Sequence, residues 1–74
     1  MKKINQKQLV IQWLNRWGSI EPMEAFMELG IYRLGARIKD LRDEGIAIKT
    51  ELESGISKKT GRVFHYARYI IDNG

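Results

Sequence analysis

Two groups of basic residues carry the chemistry that this chain's side chains could perform. Arg33, Arg37, Lys39 and Arg42 recur along one segment with Tyr32 and Ala36 among them, and Lys58, Lys59 and Arg62 stand between Ser54 and Val63 with no acid between them. Guanidinium and ammonium groups hold phosphate oxygens, and a guanidinium can also grip guanine through two parallel hydrogen bonds. Recognition of a polyanion is the chemistry such groups offer. Catalysis lacks its reagents: the chain has no Cys, and His65 is its single imidazole. It offers no Ser-His-Asp or Cys-His arrangement, no metal-ligand spacing and no phosphate-cradling glycine loop. The sequence therefore reads as non-enzymatic, with neither cofactor nor metal.

The elements that would position those cations are centred on residues 22–45. Leu34, Ile38 and Leu41 fall on one stripe at the spacing of a half-buried helix, which leaves Tyr32, Arg33, Ala36, Lys39 and Asp40 facing away. Arg37 and Arg42 flank the stripe, where each can reach bases or lay its stem on the core and pair with Asp40 or Glu44. Ahead of this helix, Pro22 suits a first helical position and Glu24 complements the helix dipole. Met23, Phe26 and Met27 are expected to supply that helix's inward face. Ala25 is small enough for a close helix crossing, and Gly30 can take the left-handed conformation that ends the helix. Two helices joined through Gly30, Ile31 and Tyr32 form a helix-turn-helix, whose second helix presents its outer face to a ligand.

The rest of the chain supports this unit. A first helix is expected from an Asn5 cap to about Trp17, closed by Gly18. Its stripe of Leu9, Val10, Trp13, Leu14 and Trp17 should lie on the next two helices, with the tryptophans filling the core rather than stacking on bases. After Gly45 the period changes to two: Ile46, Ile48, Thr50 and Leu52 alternate with polar residues, as in a half-buried strand. A second β-rich run covers residues 62–71, and SGISKKTG between the runs reads as a long hairpin loop. The fold class is mainly α with a β-hairpin: three helices followed by a two-stranded wing. Residues 1–74 form one domain with its core at about 5–71, and only 1–4 and 72–74 are expected to fray.

Composition sets the bounds. A chain of 74 residues buries only roughly 60% of its unfolded surface, so its core is small and rests on packing alone. No apolar run reaches the ~18 residues of a membrane span. The protein is expected to be soluble and intracellular. Thirteen basic and nine acidic residues give a net charge of +4, and Glu21, Glu24 and Glu28 put −3 into residues 19–30, so the remainder carries +7. The molecule is polarised, and an anionic partner belongs on its basic side, to which Lys2, Lys3 and Lys7 add.

GIYRLGARIKDLRDEGIAIKTE, followed by the aromatic strand FHYARYI, resembles the small winged helix-turn-helix proteins of phages and other mobile elements. The resemblance covers roughly residues 5–71. It implies a cytoplasmic protein of a bacterial cell that binds double-stranded DNA as a transcriptional regulator or a recombination accessory factor. The third helix would enter the major groove and the wing would follow the backbone or the minor groove. On that placement Arg33 reads bases, Tyr32 and Ala36 meet a thymine methyl or a phosphate, Arg37 and Lys39 contribute further along, and Lys58, Lys59 and Arg62 form the wing contact. A second copy on the DNA would supply affinity that one small domain lacks. A rival reading is a protein-binding winged helix that modulates a host or phage protein such as a defence system. It is favoured by Glu21, at the helix-capping position where Ser or Thr would otherwise meet a phosphate, and by Asp40 and Asp43 beside the reading face. RNA binding on the same basic surface is the third possibility.

Overall fold

Asn5 opens the first helix by accepting a hydrogen bond from the Gln8 amide at 2.9 Å, while the Gln8 side chain accepts from the Asn5 amide at 3.3 Å. This reciprocal cap satisfies two donors that the helix itself cannot. The structure, a computed structural model, describes residues 5–72. Helix α1 (Gln6–Trp17) ends at Gly18, whose φ of 85° is the left-handed conformation that closes a helix. Strand β1 (Ser19–Ile20) follows, then α2 (Pro22–Leu29), α3 (Leu34–Asp43), β2 (Ile48–Ile56) and β3 (Val63–Ile71). Lys2 and Lys3 lie outside the described residues. Asp72, expected to fray, instead donates its amide to the Ala47 carbonyl at 2.9 Å.

The sheet is antiparallel in the order β1-β3-β2. Its third strand corrects the two-stranded wing expected from periodicity. Ser19 and Ile20, between the Gly18 cap and Pro22, pair with Ile70 and Tyr69. Ile20 is thereby fully buried, and the hairpin is anchored to the helices.

The core gathers Val10 and Leu14 from α1, Ile20 from β1, Ala25 from α2, Ile31 from the turn, Leu34, Ile38 and Leu41 from α3, and Ile48 from β2. The α3 stripe is buried as its spacing predicts. Met23 and Met27, expected to face inward, are more than 60% exposed, and Phe26 is also exposed. Helix α2 turns Ala25 to the core instead, with Leu29 packed against it one turn later. Trp17 likewise lies outside the core, its ring beneath the Arg16 guanidinium at 5.0 Å, while Trp13 is half-buried. Beyond Ile48 no residue of β2 is buried. Thr50 and Leu52 are exposed, Leu52 by 80%, rather than half-buried.

The turn between α2 and α3 is set by Gly30, at φ 68°, followed by the Ile31 amide donating to the Ala25 carbonyl at 3.0 Å. That bond reaches back six residues and folds Ile31 under the helix end, where it is buried. Gly30 frees the backbone to turn, and Ile31 fixes how far.

Candidate nucleic-acid interface

Helix α3 begins immediately after Arg33, its N-cap residue, and no side chain caps its opening turn. Helices α1 and α2, by contrast, are each closed by a reciprocal cap. The start of α3 thus presents an exposed guanidinium beside an uncapped, electropositive helix end. Tyr32 precedes it, 82% exposed, with its ring 5.0 Å from that of Phe26 and tilted 56° to it. An exposed ring held on one side by another ring is oriented while its hydroxyl stays free to meet a ligand.

The other cations of α3 are engaged. Arg37 is half-buried, with Nε 3.1 Å from an Asp40 carboxylate oxygen, and its Nη1 donates to the Gln6 side chain of α1 at 3.5 Å. Lys39 donates to Asp43 at 3.1 Å, one turn along an exposed face. A pair of that kind contributes only a few tenths of a kcal/mol, so Lys39 can exchange its partner for a phosphate at little cost. Ala36 is half-buried between them. Arg42 folds along the surface onto β2: Nε and Nη2 donate to the Ile48 carbonyl at 2.9 and 2.7 Å, and Nη2 also donates to the Thr50 hydroxyl at 2.8 Å. Its guanidinium lies 6.0 Å from the Tyr69 ring. Arg42 is the strut between α3 and the root of the wing.

At the far end of the hairpin the turn is a built structure. The Ser57 amide donates to the Arg62 carbonyl at 2.9 Å and the Gly61 amide to the Ser57 carbonyl at 2.8 Å. Gly61, at φ 71°, supplies the left-handed residue that lets β3 start again. Strand pairing extends to Ile56 and Val63, so the loop is shorter than the glycine-bounded segment expected from sequence. Lys58, Lys59 and Arg62 stand exposed on this turn. Among the described residues, neither they nor Arg33 make an ion pair.

Arg68 is a residue that sequence reasoning missed. Its Nε donates to Glu53 across the hairpin at 2.6 Å, and its Nη1 lies 3.3 Å from the Ser19 hydroxyl and 3.5 Å from the Glu24 carboxylate. It ties β3 to both neighbouring strands and to α2. The hydrogen bond from Arg68 holds the Glu53 carboxyl below the usual glutamate range, against a smaller opposing effect of burial, and correspondingly raises Arg68. On the helical side Lys7 pairs with Glu44, whose hydrogen bond and charge raise the lysine. The hairpin register sets Arg68 opposite Glu51 and Glu53 opposite Tyr66, so the Arg68–Glu53 bond is a diagonal contact that the register alone narrows to two acids.

The start of α2 is capped by two carboxylates: Glu21 accepts from the Glu24 amide at 2.7 Å, and Glu24 accepts from the Glu21 amide at 3.1 Å. A phosphate there would meet like charge, and two of the amides it would need are already bonded. Among the described residues, Arg33 at the opening of α3 and Lys58, Lys59 and Arg62 at the wing tip form no ion pair, and neither do Arg16 on α1, Arg42 on α3 and Lys49 on β2.

Comparison with known families agrees with this architecture. The profile of the winged helix-turn-helix domain matches residues 5–74, which is nearly the whole chain. No curated protein and no solved structure matches the chain. Three helices and a three-stranded antiparallel sheet whose last two strands form a hairpin are consistent with a winged helix. The chain belongs to the winged helix-turn-helix domain family.

Proposed function

We propose that this protein binds double-stranded DNA sequence-specifically, placing α3 in the major groove and the Ser57–Arg62 turn on the adjacent backbone or minor groove. The observation that carries this reading is the division of the cations. Arg37, Lys39, Arg42 and Arg68 are bonded within the fold, whereas Arg33, Lys58, Lys59 and Arg62 are exposed without ion pairs among the described residues, as are Arg16 on α1, which lies over the Trp17 ring, and Lys49 on β2. Side chains kept free of internal partners at the two places where a winged helix meets a duplex are what phosphate and base contacts require. Arg33 reads a base, Tyr32 and Ala36 line the same face, and Lys39 and the wing cations hold phosphates. Arg37 serves the interface by setting α1 against α3.

The biological role we propose is transcriptional regulation in a phage or mobile element within a bacterial cell, with a recombination accessory role next. The activity is binding, without catalysis or cofactor. A domain of this size covers few base pairs, so a second copy on the DNA supplies affinity by adjacency. The test is selection of bound sequences from a random duplex pool, followed by anisotropy titration of the selected site with wild type and Arg33→Ala. A selected site should emerge, and Arg33→Ala should weaken it by about 1 to 3 kcal/mol while leaving random-duplex binding nearly unchanged. A pool that yields no preferred sequence would overturn sequence-specific readout, and tighter binding to structured RNA than to duplex would replace DNA as the ligand.

A further inference from the structure

Between the start of α2 and β3 lies a cleft of about 460 Å³, lined by Pro22, Met23, Phe64 and Tyr66 with Glu21, Glu24 and Arg68 at its rim. Phe64 lies across Gly55 so closely that a Cβ added there would come within 2.6 Å of the ring, and its centroid is 6.0 Å from that of Tyr66. The floor is thus a continuous aromatic surface facing an exposed Met23.

The strand beside the cleft is open along most of its length. Strand β1 pairs only with Tyr69 and Ile70, after which Pro22 takes the chain away into α2. The Ile71 amide points toward β1, where it donates to the Gly18 carbonyl at 3.1 Å. Backbone groups alternate in direction along a strand, so Tyr69, Ala67, His65 and Val63 point the same way. No strand of the described residues takes up the last three. The opposite edge of the hairpin is partly closed, since the Ile48 carbonyl already accepts from Arg42.

We propose that this open edge of β3 accepts an extended peptide from a protein partner, added in line with β1, with its apolar side chains in the Met23–Phe64–Tyr66 cleft and basic residues at its ends. Backbone pairing gives such a strand its affinity and the cleft gives it side-chain preference. Charge chooses the partner. Glu21 and Glu24 line the cleft against the single guanidinium of Arg68, which Glu53 also pairs from β2, so a lysine- or arginine-bearing strand is attracted and a nucleic acid is repelled. The surface is separate from the one assigned to DNA, and the inference stands whether or not that assignment does.

The test uses the full chain and the acetylated, amidated peptide KTVTLTK, whose Val and Leu are spaced to enter one face, with ETVTLTE as its charge-reversed control. Amide hydrogen exchange should slow at Val63, His65 and Ala67 when KTVTLTK is added. ETVTLTE should bind at least about tenfold more weakly, as should KTVTLTK to Met23→Arg. Met23 is exposed, and Met23→Arg should keep wild-type Tm and wild-type duplex DNA binding, which separates loss of the cleft from loss of the fold. Absence of binding at about 1 mM peptide would overturn the proposal. So would protection along the outer edge of β2, slowing of the same amides by duplex DNA, or protection that rises with protein concentration alone, which would assign the edge to a second copy.

Discussion

Arg42 and Arg33 are arginines at opposite ends of one helix; Arg42 is bonded to Ile48 and Thr50, whereas Arg33 forms no ion pair. Replacing Arg42 by Ala removes two hydrogen bonds to the Ile48 carbonyl and one to the Thr50 hydroxyl. Ile48 belongs to the core, so its carbonyl loses its donor where water reaches it poorly. Thr50 is exposed and regains water at little cost. The loss therefore lies near the low end of the range for an orphaned acceptor, about 1 to 2 kcal/mol. For a domain of this size that is a fall in Tm of roughly 4 to 16 °C. Thermal unfolding followed by circular dichroism reads it directly. Arg42→Lys should recover only part of the loss, because an ammonium cannot reproduce the fork that holds one carbonyl with two N–H groups. Below its Tm the Ala variant should bind duplex DNA with wild-type salt dependence. An unchanged Tm together with weakened DNA binding would overturn this assignment, and would place Arg42 in the interface instead of at the root of the wing.

Two further outcomes follow from local geometry. Gly35 sits in the first turn of α3, where an added Cβ would have the Tyr69 hydroxyl as its nearest neighbour at 3.6 Å, an ordinary contact. Gly35→Ala should therefore stabilise the fold by up to about 1 kcal/mol, read as a higher Tm; a lower Tm would contradict this. If its DNA affinity falls while its Tm rises, the duplex backbone approaches closely at Gly35. Arg68 holds Glu53 ionised below the usual carboxylate range. Its contribution to stability is thus complete above the unfolded glutamate value of about 4.3 and disappears as pH falls through the lower folded value. In urea unfolding, Glu53→Gln should be less stable than wild type at neutral pH, with the gap closing in acid. A gap that persists unchanged into acid would remove the ion pair as its cause.

Much of this fold is legible in the chain because the relevant signals are local. Leu34, Ile38 and Leu41 share one helical stripe, Asn5 can cap the residues just after it, and Gly18 and Gly30 each sit where a left-handed residue ends a helix. What escapes is decided by distant partners. Two residues cannot display a period, so Ser19–Ile20 becomes a strand only because Ile70 and Tyr69 return beside it from the other end of the chain. Helix α2 is short and apolar on more than one side. Which side faces inward is settled by the small Ala25 fitting the crossing, not by hydrophobicity, and Met23 and Met27 are left outside. The alternation through Thr50 and Leu52 describes a strand correctly, but burial also requires something opposite, and Leu52 is left 80% exposed. For the site, the cations are visible in the sequence and their employment is not. Arg42 is bound to a backbone carbonyl and Arg68 to acids on two other elements, and only tertiary placement could bring those groups together.

If the wing cations hold a duplex, their removal must change how binding responds to salt. Anisotropy of a labelled random duplex across a salt series, with wild type and with Lys58, Lys59 and Arg62 all changed to Ala, reads that response. Counterion release predicts that log affinity falls with log salt by about 0.9 for each phosphate contact. The triple variant should have a slope shallower by roughly 0.9 for each phosphate the wing no longer neutralises, with its Tm unchanged. Absence of binding at low salt, or a slope that the triple variant leaves as steep as before, would contradict a DNA-binding role for the wing.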